Sequence, residues 1–495
     1  MAKKSITKNY LYNMFYQVLT LVLPLITTPY LSRVLGANGI GIYGYTYAIV
    51  TYFILFGSLG IALYGQREIA YAQENVEKRK KIFIEIIIFR FITISIASIF
   101  YFIFFMRKSE YSVFYRILFL EIIAAGFDIS WFFQGLEEFK RTVIRNVLVR
   151  ICSVSLVFIF VKDKDDLALF TLIYSLADLL GNLSLWLYLP KYLKGVKVKN
   201  LNIQRHIPQI LLLFIPQIAN QLYKILDTTM IGVLVKDKTE TGFYDQGQKV
   251  IRLLLTIVTS LGVVMIPRIA NTFASGDKEK IKSYMKMSFK FVFFLAFPIM
   301  FGIIVVADNF VPIFFGKGYD KVIILMRIIS PIVLLMGIGN VVGTQYLVPS
   351  KRQKEYTISI MVGVVVNFIL NYILIIKFKS IGASIATVLS ELIVITVQLN
   401  FIKNDFNLKE FLSLSVKYMI SAIIMFFVCN LVKVLFSLFY VAQEFKYNLV
   451  ILALEVTVGF ITYIVSLIIM KDDAIKFVMD KIQNFLHRKV EKNVQ

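Results

Sequence analysis

The fold of this chain is decided by two neighbouring stretches, YLYNMFYQVLTLVLPLITTPYLSRV (10–34) and GIYGYTYAIVTYFILFGSLGIAL (41–63). Each is longer than the ~20 apolar residues that an α-helix needs to cross a bilayer. The first contains one charged residue, Arg33, close to its end, and the second contains none. The pattern predicts two membrane-spanning helices joined by a short loop.

The composition extends this prediction to the whole chain. Of the 495 residues, 58% are hydrophobic and 17% are charged, whereas soluble domains contain ~25% charged residues. No polar stretch is long enough to fold alone, so a soluble enzyme and a membrane-anchored soluble domain are both excluded. The two cysteines, Cys152 and Cys429, lie in apolar runs and provide no disulfide framework.

Uninterrupted apolar stretches predict an all-α integral membrane protein with about 14 transmembrane helices. The predicted spans are residues 10–34, 41–63, 82–106, 113–135, 143–161, 167–189, 207–235, 243–266, 285–306, 322–347, 357–376, 380–402, 411–436 and 447–470. The eleventh and twelfth are separated only by Lys377, Phe378 and Lys379.

The distribution of Lys and Arg predicts the orientation. The termini and every second loop carry 32 of these residues, and the intervening segments carry 13. Because cytoplasmic loops are enriched in Lys and Arg, both termini are predicted to be cytoplasmic. These loops explain much of the net charge of +23, so no nucleic-acid partner is expected. Residues 471–495 combine helically spaced apolar residues with lysines, which predicts a cytoplasmic amphipathic helix on the membrane surface; a frayed tail is the alternative.

The two halves of the chain resemble each other at an offset of 201 residues. Among the matches, Gly41 aligns with Gly242, Tyr43 with Tyr244, and the pair Thr27–Thr28 with Thr228–Thr229. Parallel repeats of six spans, related by an axis along the membrane normal, are typical of transporters. The predicted organisation is an N-lobe (1–195), a C-lobe (196–405), two further helices (406–470) and the tail (471–495).

Charged residues within the predicted spans are candidates for a site, because a charge at bilayer depth costs at least ~2.5–3.5 kcal/mol. The deep cations are Arg90, Arg150 and Arg252. The acids considered for coupling or ion pairing are Glu121, Asp128, Asp178, Asp227 and Glu391. Lys224 is a further cation candidate, although it lies three residues from Asp227 and the two charges could neutralise each other. A wet cationic cavity is the functional interpretation of the deep group, and structural ion pairing is the alternative.

Prolines recur at similar places in the two halves. Pro24 and Pro29 lie in the first span, and Pro208 and Pro216 lie in the seventh. A proline inside a span usually bends the helix, so these four are predicted hinges of a protein that moves between two openings. The alternative is that proline is simply common in membrane helices. No phosphate-binding loop, metalloprotease motif or metal-ligand cluster is present in the sequence, so ATP hydrolysis and a metal cofactor are not expected.

Several segments resemble the polysaccharide-export flippases, the Wzx-type branch of the MATE-related MOP superfamily. These include LPLITTPYLSRVLGANGIGIYGYTYAIVTYF (23–53) and TGFYDQGQKVIRL (241–253), and the resemblance runs from about residue 5 to 405. The family implies two six-helix lobes plus two C-terminal helices. It implies transfer of undecaprenyl-diphosphate-linked oligosaccharide to the outer face of the bacterial cytoplasmic membrane. The resemblance implies that Arg33, Arg67 and Asp128, which lie within the resembling segments, are important residues.

The resemblance also implies membrane lipids as surroundings, and a polysaccharide polymerase and glycosyltransferases as partners. No cofactor is expected; proton or sodium coupling is left open. Lipid II as the substrate is disfavoured, because the first span lacks an early Arg-Asp pair. A MATE-type multidrug antiporter has the same architecture and is the main alternative. A membrane polysaccharide polymerase or glycosyltransferase is a further one, disfavoured by short outer loops and by having only two histidines.

Overall fold

The computed structural model describes residues 6–106, 110–193, 200–439 and 445–472. Two compact units divide the chain, Met1–Asp245 and Gln246–Gln495. The predicted lobe boundary near residue 195 stays a prediction. The predicted amphipathic tail lies outside the described residues, apart from its first two.

The described residues of the first unit form ten α-helices, the last of which continues into the second unit. They are α1 (Ile6–Ser58), α2 (Ile61–Tyr71), α3 (Val76–Phe105), α4 (Ser112–Phe127), α5 (Ser130–Gly135), α6 (Phe139–Phe160), α7 (Leu167–Trp186), α8 (Pro190–Leu193), α9 (Ile207–Leu234) and α10 (Thr239–Thr259). Short 3₁₀ turns precede α7 and α9.

The described residues of the second unit continue with nine α-helices. They are α11 (Gly262–Ser275), α12 (Lys278–Phe314), α13 (Asp320–Ile329), α14 (Ile332–Gly339), α15 (Gln353–Phe378), α16 (Ser380–Ile402), α17 (Leu408–Ser413), α18 (Ser415–Phe439) and α19 (Phe445–Ile469). A π-helical segment, Asn340–Leu347, follows α14. By length and composition, ten helices of the described chain can cross a membrane, or eleven if α10 and α11, bent by 42°, form one span.

Helix α1 is long enough for two membrane crossings. Its 53 residues would extend ~80 Å, far more than the ~30 Å hydrocarbon core. The helix is broken at Gly36, whose φ of 68° and ψ of 173° are not helical. This φ lies in the left-handed region that glycine adopts without a steric penalty. The break lies between the two predicted spans, 10–34 and 41–63.

The predicted fourth span is broken in the middle. Helix α4 ends at Phe127 and α5 begins at Ser130, with Asp128 and Ile129 between them. The short helix α5 is anchored by Trp131, Phe132 and Phe133, all fully buried against α2 and α3. Gly65 of α2 allows this packing, since a Cβ there would lie 2.4 Å from the Trp131 ring. The sequence predicted one continuous span, and the structure replaces it with two helices and a helix end inside the bundle.

Residues at the 201-residue offset meet where α1 approaches the start of α10. A Cβ added to Gly41 would overlap the carbonyl oxygen of Lys238, and one added to Gly242 would overlap that of Ala37. Ala37 and Lys238 are themselves 201 residues apart, so the contact is reciprocal, as in a two-fold interface. Asn38 also donates to the hydroxyl of Thr239 at 3.4 Å. Both glycines are therefore required for this close approach.

Lys238 closes the end of α9 beside this contact. Its buried ammonium donates to the carbonyl oxygens of Gly232 at 2.6 Å and Val235 at 3.0 Å. The same nitrogen lies 4.8 Å from the centre of the Tyr45 ring. A cation at a helix C-terminus is favourable because it meets the negative end of the helix dipole. Burial lowers the pKa of Lys238 below its usual value.

In the second unit, α12, α18 and α19 pack together around buried polar side chains. Asn309 donates to both carboxylate oxygens of Glu455 at 3.1 Å. The carboxylate of Asp308 pairs with Arg327 at 2.7 Å and also with Lys433. These contacts fix the two C-terminal helices to the rest of the unit.

Candidate functional site

A polar cavity lies among the membrane helices of the first unit. Its volume is about 400 Å³, and α1, α2, α3, α4, α6 and α7 all contribute to its walls. Its charged residues are Arg90, Arg145, Arg150, Glu121, Asp128 and Asp178. The predicted deep charges of the first half are thus brought together, and a cavity lined by six ionisable side chains holds water and polar ligands readily.

Two guanidinium nitrogens of Arg90 contact other residues, and the third has no hydrogen-bond acceptor among the described residues. The side chain is 3% exposed, and its Nε donates to the carbonyl oxygen of Ala125 at 2.8 Å. Its Nη2 lies 4.0 Å from the Asp128 carboxylate. Its Nη1 is buried, and no described residue accepts a hydrogen bond from it. Arg90 therefore caps the end of α4 and keeps one donor for a further partner.

Arg145 and Arg150 occupy the same wall of the cavity. Both lie on α6, ~7.5 Å apart along the helix axis. Each interacts electrostatically with Asp178 of α7, but no contact of 4.0 Å or less joins either guanidinium to a carboxylate of the described chain. The buried Nε of Arg145 also lacks a partner among the described residues. These two cations keep donors available to a ligand, and planar guanidinium groups suit phosphate oxygens.

The three carboxyl groups have different environments. Glu121 of α4 is 6% exposed and interacts electrostatically with Asp178 and Arg150. Asp128 lies at the break between α4 and α5, where its carboxylate accepts from the Ser130 amide at 2.9 Å. Three guanidinium groups and three carboxyl groups therefore share this cavity. The six ionisable side chains are balanced in formal charge, and the cationic ones on α6 are Arg145 and Arg150. The interpretation of this cavity as a cationic site stays a prediction.

The broken end of α4 is satisfied by side chains from neighbouring helices. Besides the bond from Arg90 to Ala125, Asn182 donates to the carbonyl oxygen of Ala124 and Trp186 donates to that of Phe127, both at 2.8 Å. The last carbonyls of a helix lack partners within it, and an unsatisfied one is costly in a membrane. These three donors stabilise a helix end at bilayer depth, a feature common at transporter binding sites.

The other predicted site residues do not line the polar cavity in the part of the chain that the structure describes. Arg33 is exposed and donates to the Pro29 carbonyl oxygen at 2.9 Å. Lys224 of α9 is exposed, whereas Asp227 is buried and accepts from the Tyr244 hydroxyl at 2.5 Å. Asp227 thus has a partner that the sequence did not suggest.

Two of the predicted residues belong to the second unit. Arg252 of α10 is exposed, and Glu391 of α16 is buried. Their roles stay predictions.

The predicted hinges differ from the observed breaks. Pro24 and Pro29 lie inside α1, but its non-helical backbone angles are at Gly36. Pro208 lies in the first turn of α9, where a proline removes no helical hydrogen bond. Its assignment as an interruption of the seventh span is therefore corrected. Pro216 lies within the range of α9, and its role as a hinge stays a prediction.

Sequence reasoning missed Arg145 as a cavity residue. The predicted fifth span began at residue 143, and Arg145, only two residues after that start, was counted with the cytoplasmic loop. In the structure α6 begins earlier, at Phe139. The signal available in the sequence was the charge of Arg145 inside the predicted span 143–161; the five-residue spacing of Arg145 and Arg150 places them roughly 140° apart around a straight helix and does not itself indicate a shared site. Asn182 and Trp186 carry no such signal, since their importance depends on the break in α4.

The described parts of the chain are helical, with ten or eleven candidate membrane spans. A charged cavity between such helices is typical of membrane transporters. The chain belongs to the family of polysaccharide biosynthesis proteins, whose model matches residues 6–273, as a Wzx-type flippase of the MOP superfamily. The MatE family model matches residues 213–373.

Curated relatives agree with this assignment. A protein of Escherichia coli (strain K12), named as an O-antigen transporter, is 28% identical over 408 residues, which cover 81% of this chain and 98% of the relative. A protein of Haloferax volcanii with the name low-salt glycan biosynthesis flippase Agl15 is 23% identical over 204 residues, covering 41% of this chain and 42% of the relative.

Solved structures show the same fold. A lipid II flippase MurJ in an inward closed conformation has a TM-score of 0.71 at 19% identity, covering 94% of this chain and all of that one. An inward-facing multidrug resistance MATE transporter has a TM-score of 0.57 at 13% identity, covering 80% of this chain and 98% of that one.

Proposed function

We propose that this protein flips undecaprenyl-diphosphate-linked oligosaccharide from the cytoplasmic to the outer face of the bacterial cytoplasmic membrane. The observation that carries the proposal is the cavity wall formed by Arg145 and Arg150, which offers guanidinium donors within a membrane protein of a polysaccharide-biosynthesis family. Relatives named as O-antigen transporter and glycan flippase support a lipid-linked oligosaccharide as the substrate class.

The chemistry of the cavity suits such a substrate. A diphosphate needs several charge-assisted hydrogen bonds, each worth ~1.5–3 kcal/mol, to replace its hydration. The carboxyl groups that share the cavity attract the arginines electrostatically when no ligand is bound. They also prevent the diphosphate from binding so tightly that it cannot leave. The sugar chain would occupy the watered space, while the lipid tail remains in the bilayer.

We further propose fourteen spans with both termini in the cytoplasm. The break at Gly36 supports two spans within α1. Further candidate spans exist beyond the helices that are long and apolar enough on their own. They are the broken pair α4 and α5, the 28-residue helix α9, and the bent pair α10 and α11. The excess of Lys and Arg in alternate loops supports the orientation.

Two six-helix lobes moving by alternating access are the proposed mechanism. The reciprocal contact of Gly41 with Lys238 and of Gly242 with Ala37 supports the repeat, because equivalent residues meet near a two-fold axis. On the proposed topology this contact lies at the outer face, where it would close the outer opening. Separation of these helices would then expose the cavity to the outside.

The protein acts as a transporter rather than as an enzyme in this proposal. Glycosyltransferases would build its substrate on the inner face, and a polymerase would consume it outside. Coupling to protons or sodium ions through an acid such as Asp178 is a further element of the proposal. A multidrug antiporter is the second candidate, supported by the match to the MatE family model at residues 213–373.

A reconstitution experiment distinguishes the two candidates. Purified protein in lipid vesicles is supplied with a fluorescent undecaprenyl-diphosphate-linked oligosaccharide, and the fraction accessible to a membrane-impermeant quencher is followed in time. We expect protein-dependent exposure of the lipid-linked sugar and no uptake of a lipophilic cationic dye. The Lys377→Ala variant, changed at an exposed position in the last turn of α15, should flip at the wild-type rate. Dye transport without lipid-linked sugar transport would refute the proposal in favour of the antiporter.

A further inference from the structure

A long apolar groove runs along the surface between α6 and α7. Its volume is about 920 Å³, and its lining extends from Glu138 to Phe160 on α6 and from Leu169 to Tyr188 at and beyond α7. Helix α6 has 22 residues, so the groove is ~33 Å long, close to the ~30 Å thickness of the hydrocarbon core. A groove of this length accommodates one extended hydrocarbon chain across the membrane.

Small and exposed apolar side chains shape the groove. Cys152 and Ala177 leave space between the two helices, while Leu148 and Leu180 are 56% and 61% exposed along its sides. Gly181 brings the helices together at one point, since an added Cβ would lie 2.5 Å from a methyl of Val149. The groove therefore follows from side-chain sizes in the sequence.

The charged groups of the groove are confined to one end. Lys140, Arg141 and Arg145 line that end, and the lining at the other end, around Phe160 and Leu169, is apolar. Arg141 is partly neutralised by Glu138 at 3.7 Å and lies 4.5 Å from the centre of the Tyr188 ring. Lys140 is exposed and has no partner among the described residues. The end with an excess of positive charge is the one predicted to be cytoplasmic, and it suits an anionic headgroup.

The groove and the polar cavity share two lining residues, Arg145 and Val149. The Nε of Arg145 is buried and unpartnered within the described chain. Arg150 lies five residues further along α6, within the cavity. An anionic group held at the end of the groove can therefore pass from Arg145 to Arg150 while a chain attached to it stays among apolar side chains.

We propose that this groove binds the polyisoprenoid tail of the lipid-linked substrate, with its diphosphate at Lys140, Arg141 and Arg145. The inference rests on the proposed function and adds the route by which the substrate enters the first unit. Three features support it: the length of the groove, the positive charge at one end, and the shared Arg145. Bulk phospholipid would cover the same surface without preference for a diphosphate. Competition between the two lipids therefore distinguishes which one occupies the groove.

Photo-cross-linking to the purified protein in nanodiscs tests the tail site. The probe is a polyprenyl diphosphate with a diazirine in its tail, and labelled peptides are identified by mass spectrometry. We expect labelling of α6 and α7 that unlabelled polyprenyl diphosphate reduces and an excess of anionic phospholipid does not. Cys152→Trp, which fills the groove, should reduce this labelling at least fivefold. Its matched control is Ile151→Trp, because Ile151 is 46% exposed on the same helix and does not line the groove.

A second pair of variants tests the headgroup end without filling the groove. Lys140→Glu should weaken probe binding on the order of tenfold, the effect of one lost charge-assisted contact. Lys162→Glu, beyond the opposite end of α6, should leave binding unchanged. Labelling confined to other helices, equal labelling of the two tryptophan variants, or competition by phospholipid would each overturn the tail site.

The flipping assay on the same proteins separates this inference from the proposed function. If Cys152→Trp flips lipid-linked oligosaccharide as fast as Ile151→Trp, the groove is not the route and the function stands. If the wild-type protein does not flip that substrate, the proposed function fails whatever the groove binds.

Discussion

Arg90→Ala and Arg150→Ala should both reduce glycan export, but for different reasons. Arg90 donates to the Ala125 carbonyl at the broken end of α4, so its loss leaves a buried acceptor unsatisfied, at a cost of about 1–3 kcal/mol. Its interaction with Asp128 across 4.0 Å adds less than about 1 kcal/mol, since that carboxylate is partly exposed. A loss of this size reduces the steady-state amount of a marginally stable protein several-fold.

Arg150 makes no hydrogen bond or ion pair of 4.0 Å or less within the described chain, so Arg150→Ala should change stability by less than about 1 kcal/mol. If it binds diphosphate, its loss should weaken substrate binding roughly ten- to hundredfold. Both variants are therefore compared by membrane abundance, by thermal stability in detergent, and by the amount of lipid-linked oligosaccharide retained on the inner face.

The expected pattern is low abundance for Arg90→Ala, and normal abundance with inner-face accumulation for Arg150→Ala. Asp178→Asn combined with Arg150→Ala is the control for ion pairing, because it removes the nearby carboxylate. Low abundance of Arg150→Ala, restored by Asp178→Asn, would show that Arg150 is structural and refute the reasoning. Wild-type stability of Arg90→Ala would show that the end of α4 does not depend on this guanidinium.

The outer contact should be sensitive to small changes, because Gly41→Ala must displace a backbone carbonyl. A disulfide between Asn38→Cys and Thr239→Cys, measured in a chain lacking Cys152 and Cys429, should therefore form more slowly in the Gly41→Ala variant than in the chain that keeps Gly41. An unchanged rate of disulfide formation would show that the two glycines do not determine the approach. Trp186→Phe removes the donor to the Phe127 carbonyl and should lower stability by about 1–3 kcal/mol, measured by thermal unfolding; no change would mean that water satisfies that carbonyl. Reporters fused after residue 75, 200 or 280 should read as cytoplasmic and those at 164 or 240 as external, and the topology is wrong if residues 200 and 240 report the same side.

Much of the membrane architecture follows from hydropathy and local residue types. The apolar stretches predicted α3, α6, α15 and α16 closely, and the break in α1 lies between the predicted spans 10–34 and 41–63. Intramembrane charge was also informative, since Arg90, Arg150 and Asp178 come from three separate spans and line one cavity. A charge that must avoid lipid has few places to lie, which is why the sequence alone points to a shared site.

The break in α4 could not be predicted, because its causes are distant in sequence. No glycine or proline lies at Asp128–Ile129. The helix ends there because Arg90, Asn182 and Trp186 satisfy its last carbonyls from other helices. The depth of Arg145 depended on where α6 begins, and the ends of elements are the part of a prediction that local patterns define least well.

The equal numbers of guanidinium and carboxyl groups in the cavity have an electrical consequence. With all six groups ionised, the empty cavity has no net charge, so the membrane potential does little work on a carrier returning without substrate. A bound diphosphate adds about two negative charges, and each charge moved across the full potential contributes ~2.3 kcal/mol per 100 mV. In a cell that is negative inside, this energy favours outward movement of an anion. Export would then draw on the membrane voltage directly, and an imposed potassium diffusion potential should accelerate or reverse flipping according to its sign.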